Sequence, residues 1–207
     1  PSTDGYVCYD KHPGVHAGCL AHARRYFKKA QKLAPKESSC VTKLIGELYR
    51  IEREMKKNRG KMKRKEWFEH RKKIRTERSL PILEKLQKYL ITIKDRWLLE
   101  EHPMFKAVNY MLNRFDVFSV YASDGSIEID NNDVERMIRP IAVGRKNWLF
   151  AGSHHGASMA AVMMTVVQTC KQMKIDPQKY LQDVLPRLAQ TETTSLQGLT
   201  PFDWNKR

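Results

Sequence analysis

Glu135 stands in the run "IDNNDVERMIRPIAVGRKNWLFAG" (residues 129–152), preceded by Asn131, Asn132 and Asp133 and followed by Arg136, Arg139, Arg145 and Lys146. A carboxylate is a hard oxygen donor suited to Mg²⁺, and one set among cations suits a site that handles phosphate. The same spacing has a second meaning. Asn132-Asp133-Val134-Glu135 fits a capping box, in which the cap side chain bonds the N3 amide and the glutamate reaches back to the cap amide. From spacing alone, the cap comes first. A lone carboxylate does not make a phosphoryl-transfer centre, where ions are usually held by more than one carboxylate. Asp4 in "TDGYVCYD" is the candidate partner, with Asp10 behind it. Its competing reading is the aspartate of an Asp-Gly turn.

Positive charge is the second chemical feature. The chain carries +15 over 207 residues, with a pI near 9.7, so polyanions are the first partners to consider. Between Arg50 and Arg78, fourteen Lys or Arg stand against five acidic residues, with Lys61, Lys63, Arg64 and Lys65 at the centre. A solvated helical hairpin is the ordinary meaning of such a run. The imbalance weighs toward nucleic acid, met through phosphates rather than base edges.

Several classes are excluded. The longest apolar run, Met159–Val167, is nine residues, far below the roughly 20 of a membrane-spanning helix, so no membrane partner is expected. The N-terminus lacks the charged and apolar regions of a secretory signal, which points to the cytoplasm, and the start at Pro1 without Met reads as a piece of a longer protein. Cys8, Cys19, Cys40 and Cys170 are scattered and read as reduced thiols. Cys19 and His22 have the spacing of half a zinc site, against the plainer alternative of a buried cysteine beside a polar histidine.

The elements that must position these residues are mostly helices. "VHAGC" reads as a short strand turning into helix at His22–Arg25. Val41, Leu44, Ile45, Leu48, Ile51 and Met55 mark an amphipathic helix from Ser39 to before Gly60. Trp67, Phe68, Arg71 and Ile74 mark another. After "SLP" the pattern resumes through Leu83, Leu86, Leu90 and Trp97, with Ser79 as candidate cap and Pro81 in the first turn. A further helix follows Pro103. Gly125 marks a turn, "SIEID" (126–130) alternates like a strand, and "NWLFAG" reads as extended. Helices are expected over 157–173 and from Asp176-Pro177, with a linker over 191–200.

Taken in order, "TDGYVCYD", "GCLAHARRYF", "IEIDNNDVERMIRPIAVGRKNWLFAGS", "DPQKYLQDVLPRL" and "LTPFDWN" resemble the insertion-sequence sixty-six family of bacterial transposases, of the DDE superfamily. The resemblance implies a chain that is mainly α, holding part of a ribonuclease-H-like α/β core whose first strands are absent. Residues 1–25 and 121–190 would belong to that core, 26–120 to a basic helical insertion, and 191–207 to a C-terminal element. It implies two Mg²⁺ ions held by two aspartates and a glutamate for cutting and joining DNA. Asp4 matches the second aspartate and Glu135 the glutamate, while the first aspartate would precede Pro1, so the chain alone is expected to be inactive. His22, Arg24 and Arg25, with Asn131, Asn132, Arg136, Arg139, Arg145 and Lys146, match motif positions and are expected to touch DNA or support the site. Transposon ends and target DNA are the implied substrates, with self-association and accessory proteins as further partners. The alternative is a non-catalytic DNA-binding or assembly module. Where relatives tend to continue Gly-Gly-Glu-Arg after "FAGS", this chain has His154, His155 and Gly156, which receive no assigned role.

Overall fold

A computed structural model describes residues 2–3, 14–97, 99–148, 151–190 and 198–204. Two units divide the chain, Pro1–Asp133 and Val134–Arg207. In the first, β1 (Ser2–Thr3) pairs in parallel with β2 (Ala17–Gly18). β2 leads at once into α1 (Leu20–Ala30), and α2 (Pro35–Lys57), α3 (Arg64–Ile74), α4 (Leu80–Lys94), α5 (Pro103–Leu112) and α6 (Phe115–Ser123) follow. α7 (Asn132–Trp148) begins at the division. α8 (His154–Gln172), α9 (Pro177–Gln190) and the short α10 (Pro201–Trp204) complete the second unit. The chain is thus mainly helical.

Apolar spacing decides which face of each helix is buried. In α1, Leu20, Ala23, Phe27 and Ala30 are buried at three-and-four spacing, which turns Arg24, Arg25, Lys28 and Lys29 to solvent. The stripe expected in α2 is buried from Val41 to Met55, and the helix starts earlier than expected, at Pro35, where a proline costs no amide bond. These faces meet Leu83, Leu86, Leu90 and Ile93 of α4, Met104, Val108 and Met111 of α5, and Phe118 and Tyr121 of α6 in one core. β2 lies so close to α6 that a Cβ on Gly18 would press into the Phe118 ring. Leu20, Ala23 and Ile129 share this core with helices of the span 26–120.

The "SLP" segment does not start a new helix. α3 runs into α4 through a π-helical turn, Arg75–Ser79, in which the Leu80 amide donates to the Arg75 carbonyl. Proline lacks an amide hydrogen, and its ring crowds the carbonyl four residues back. A wider turn just before Pro81 relieves that crowding without ending the helix. Ser79 is buried in helical conformation and makes no cap bond.

The π turn carries Arg75 inward, and Arg71, four residues earlier, lies on the same face. Both guanidinium groups are inside the protein, at 0% and 1% exposure, together with Glu52 of α2 at 3%. Arg75 binds Glu52 in a fork, Nε to Oε1 at 2.7 Å and Nη2 to Oε2 at 3.0 Å, and Arg71 Nη2 reaches Oε2 at 3.1 Å. Taking ions out of water costs several kcal/mol each, so such a cluster survives only if every partner is present. Glu52→Gln should therefore lower the unfolding free energy of the first unit by about 3–5 kcal/mol in urea titration; a loss below about 1 kcal/mol would mean that the cluster holds nothing together.

Candidate functional site

The segment between α6 and α7 is short of regular structure yet tightly held. Asp124 Oδ1 accepts the Ser126 amide at 2.7 Å, and these bonds from Ser126 keep the Asp124 carboxyl below its ordinary range. Gly125 packs on α3 so closely that a Cβ would collide with the Phe68 carbonyl, so the expected turn is there and glycine is required. Arg75 Nη1 donates to the carbonyls of Tyr121 (2.7 Å), Asp124 (2.9 Å) and Ile127 (2.9 Å). Glu128 takes Arg71 Nη1 at 2.8 Å and Lys56 Nζ at 3.2 Å. "SIEID" is therefore not a strand: Ile129 is buried and Glu128 meets two cations, which yields alternation without a ladder.

From there the segment ties two sequence motifs together. The Ile129 carbonyl accepts the Leu20 amide at 3.2 Å, at the start of α1. The Asn131 amide lies beside the buried Cys19 sulfur, whose thiol is pushed up by burial despite that contact. Asp130 collects three donors: the Asn132 amide on Oδ1 (3.1 Å), and the Asn132 side-chain nitrogen (2.8 Å) and Tyr49 hydroxyl (2.7 Å) on Oδ2. The amide of the first residue of α7 is thus satisfied by Asp130, two residues earlier, as in an Asx turn. Burial and the adjacent Asp130 carboxylate hold the Tyr49 phenol far above its ordinary value, so it stays a donor.

Glu135 lies in the first turn of α7 and is half-buried. Arg136, Arg139, Arg145 and Lys146 are exposed along α7, which continues through Asn147 and Trp148 where an extended segment was expected. Asp4, Asp10 and Cys8 lie outside the described residues. Among the described residues no three His, Cys, Asp or Glu side chains come together as a metal site, and no helix is long and apolar enough to cross a membrane. Cys19 is fully buried and His22 half-buried, as the plainer alternative has it.

Arg24, Arg25 and Asn132, from motifs over a hundred residues apart, line one groove of about 420 Å³ together with Ala21, Lys28 and Tyr49. Lys61, Lys63, Arg64 and Lys65 are exposed at the turn joining α2 to α3, more than about 12 Å along α2 from Tyr49. Arg64 there covers the Phe68 ring, and Arg59 covers Trp67. Not all of the basic run faces outward. Arg71 and Arg75 are internal, Lys56 is paired with Glu128, and Arg50 and Arg78 share Glu54.

Sequence reasoning missed Glu52, Arg75, Glu128, Asp130 and Tyr49. One signal was present: Arg71 sits on the apolar stripe with Trp67 and Ile74, an unusual place for an arginine that meets water.

The two C-terminal motifs explain each other in the second unit. Asp176 Oδ1 accepts the Gln178 amide at 2.9 Å and begins α9. The Tyr180 hydroxyl donates to the Leu199 carbonyl, and Trp204 Nε1 donates to Asp183 at 2.8 Å. With Cys170, Ile175 and Val184 these residues form a separate small core. "DPQKYLQDVLPRL" and "LTPFDWN" thus carry packing and capping.

Comparison with known proteins gives concordant results. Residues 2–159 match the family described as Transposase IS66 family, and residues 165–204 match the IS66 C-terminal element. Three proteins of Sinorhizobium fredii are similar over nearly the whole chain. "Uncharacterized protein y4hP" is 34% identical over 94% of this chain and 36% of its own length. "Uncharacterized protein y4jD" is 33% identical over 97% and 40%, and "Uncharacterized protein y4qI" is 36% identical over 91% and 33%. The chain therefore spans between 33% and 40% of the length of these relatives. No solved structure matches it significantly.

The anchored segment has a pH signature. Burial alone would raise the Glu128 carboxyl, but Arg71 and Lys56 outweigh it and hold the group below its ordinary 4.5. A carboxyl lowered by folding adds stability that is complete above 4.5 and is lost as pH falls through the lowered value. Urea midpoints measured from neutral pH downward should fall more steeply below about 4.5 for the native chain than for Glu128→Gln; parallel curves would contradict the pairing.

Proposed function

The chain belongs to the IS66 transposase family, and from that premise we propose that it is part of the catalytic region of a transposase that cleaves DNA at transposon ends and joins it to a target. Asp4 and Glu135 are the two carboxylates assigned to the metal site. The observation that carries this reading is that the family match covers both positions, with Glu135 in the first turn of a helix whose start is pinned by Asp130. The parallel pairing of β1 with β2 supports placement in a ribonuclease-H-like core, since parallel strands are typical of α/β layers.

Glu135 offers a hard, half-buried oxygen donor, which suits Mg²⁺. One carboxylate is insufficient, so Asp4 and a further aspartate of the whole protein are assigned as its partners. Bound there, two ions would activate the attacking oxygen and stabilise the leaving one. The protein's own contribution is to hold the carboxylates in place and to meet the DNA backbone with cations. Arg136, Arg139, Arg145 and Lys146 on α7, and Lys61, Lys63, Arg64 and Lys65 beyond α2, are assigned to phosphate contacts. His22 and Asn131 support the site from α1 and the α7 approach.

A non-catalytic DNA-binding module is the second reading, favoured by the exposed cations at the α2–α3 turn. Metal dependence separates the two. In the full-length transposase containing this region, Glu135→Gln should abolish Mg²⁺-dependent nicking and strand transfer on DNA bearing the element's ends, while DNA affinity stays within about threefold. Retained strand transfer would remove Glu135 from the catalytic set.

A further inference from the structure

We propose that the groove between α1 and α2 is a seat for one phosphodiester of a DNA strand, and that Lys28 and Tyr49, which no motif singles out, help to form it. The ligand's identity as DNA rests on the transposase reading; the seat itself rests on the groove. Its walls present Arg24, Arg25, Lys28, Tyr49 and Asn132, with Ala21 leaving space. Arg24 and Lys28 are four residues apart on α1 and so project side by side, an arrangement of like charges that disfavours the empty helix. Neither Arg24 nor Arg25 has an ion-pair partner among the described residues, and Lys28 reaches only the neutral Gln31 side chain. Three cations converge, with no carboxylate among the described lining residues.

Asp130 lies behind the lining, bonded to Tyr49 and Asn132, and is already engaged. Its two oxygens are taken up by Tyr49 and by both donors of Asn132 described above, so its charge is spent on holding the wall in place. Only one of the two side-chain N–H groups of Asn132 is used on Asp130, leaving the other for an incoming oxygen. A cluster of cationic and amide donors around a small, open volume matches a tetrahedral oxyanion within a chain that enters and leaves. A compact metabolite would instead need an enclosing, mainly apolar pocket. Asn132 is also the first residue of α7. Tyr49 is a positioning residue here: its hydroxyl faces Asp130, not the ligand.

The test is a fluorescence-anisotropy titration of a duplex from the element's end with the 207-residue chain, without divalent metal, over a series of salt concentrations. Lys28→Gln should weaken binding several-fold and reduce the slope of log K against log salt by about 0.9, and Arg24→Gln/Arg25→Gln together by about 1.8. Lys29→Gln, on the same helix but outside the groove, should leave the slope unchanged. Tyr49→Phe keeps the ring but removes one of the donors that hold Asp130, and through it Asn132, in place; affinity should drop several-fold with the slope preserved. Groove variants no weaker than Lys29→Gln would overturn the seat, and Tyr49→Phe binding as the native chain does would remove Tyr49 from it. The outcome is independent of Glu135: groove variants that lose DNA while Glu135→Gln keeps strand transfer would sink the catalytic reading and leave the seat standing. Normal DNA binding by groove variants alongside an essential Glu135 would do the reverse.

Discussion

Glu52 lies between Arg71 and Arg75 in the interior of the first unit, and most of what surrounds the candidate site depends on that contact. Two guanidinium groups and one carboxylate are taken almost completely out of water. Part of that cost is offset by their mutual attraction and by Arg75 Nη1, which reaches three backbone carbonyls, that of Tyr121 in α6 and those of Asp124 and Ile127 beyond it. An apolar core of similar volume would be as stable or more so. What the ionic cluster adds is direction. Carbonyls of an irregular segment have no ladder to join, and a guanidinium fork is among the few groups that can hold several of them in one arrangement.

The consequence runs along the chain. With Tyr121, Asp124 and Ile127 fixed by Arg75, and Glu128 by Arg71, the next residues can meet α1 and α2 in only one way. Ile129 takes the first amide of α1, and Asp130 takes Tyr49 and the amide of Asn132. Two motifs distant in sequence, "GCLAHARRYF" and "IEIDNN", become neighbours, and the basic face of α1 comes to share a groove with the first residue of α7. The π turn before Pro81 belongs to the same design, because it keeps Arg71 and Arg75 on one continuous helix.

Periodicity made the helices legible. The stripes of α2 and α4 and the capped starts at Pro103 and Asp176-Pro177 could be read because three-and-four spacing and proline placement follow directly from helix geometry. Charge was less legible. In a run with fourteen cations, the buried Arg71 and Arg75 look like the exposed Lys72 and Lys73, and only the coincidence of Arg71 with an apolar stripe sets it apart. Alternation in "SIEID" was a poor guide for the opposite reason: a segment packed on one side and ion-paired on the other imitates a strand without pairing to one. Asp130 was hidden because an Asx turn joins residues only two apart, a spacing shorter than that of the capping box read at Asn132 and Glu135. Family resemblance pointed to Glu135, while the residues that fix the start of its helix emerged only from three-dimensional contacts.

The central claim is that the buried Arg75 fork sets the conformation from which α7 starts. Residue-resolved amide hydrogen exchange on Arg75→Lys, which keeps the charge but loses the fork, tests it most directly. The account predicts that protection at the Leu20 and Asn132 amides collapses, while amides within α9 exchange as in the native chain. Native protection at Leu20 and Asn132 in that folded variant would contradict it.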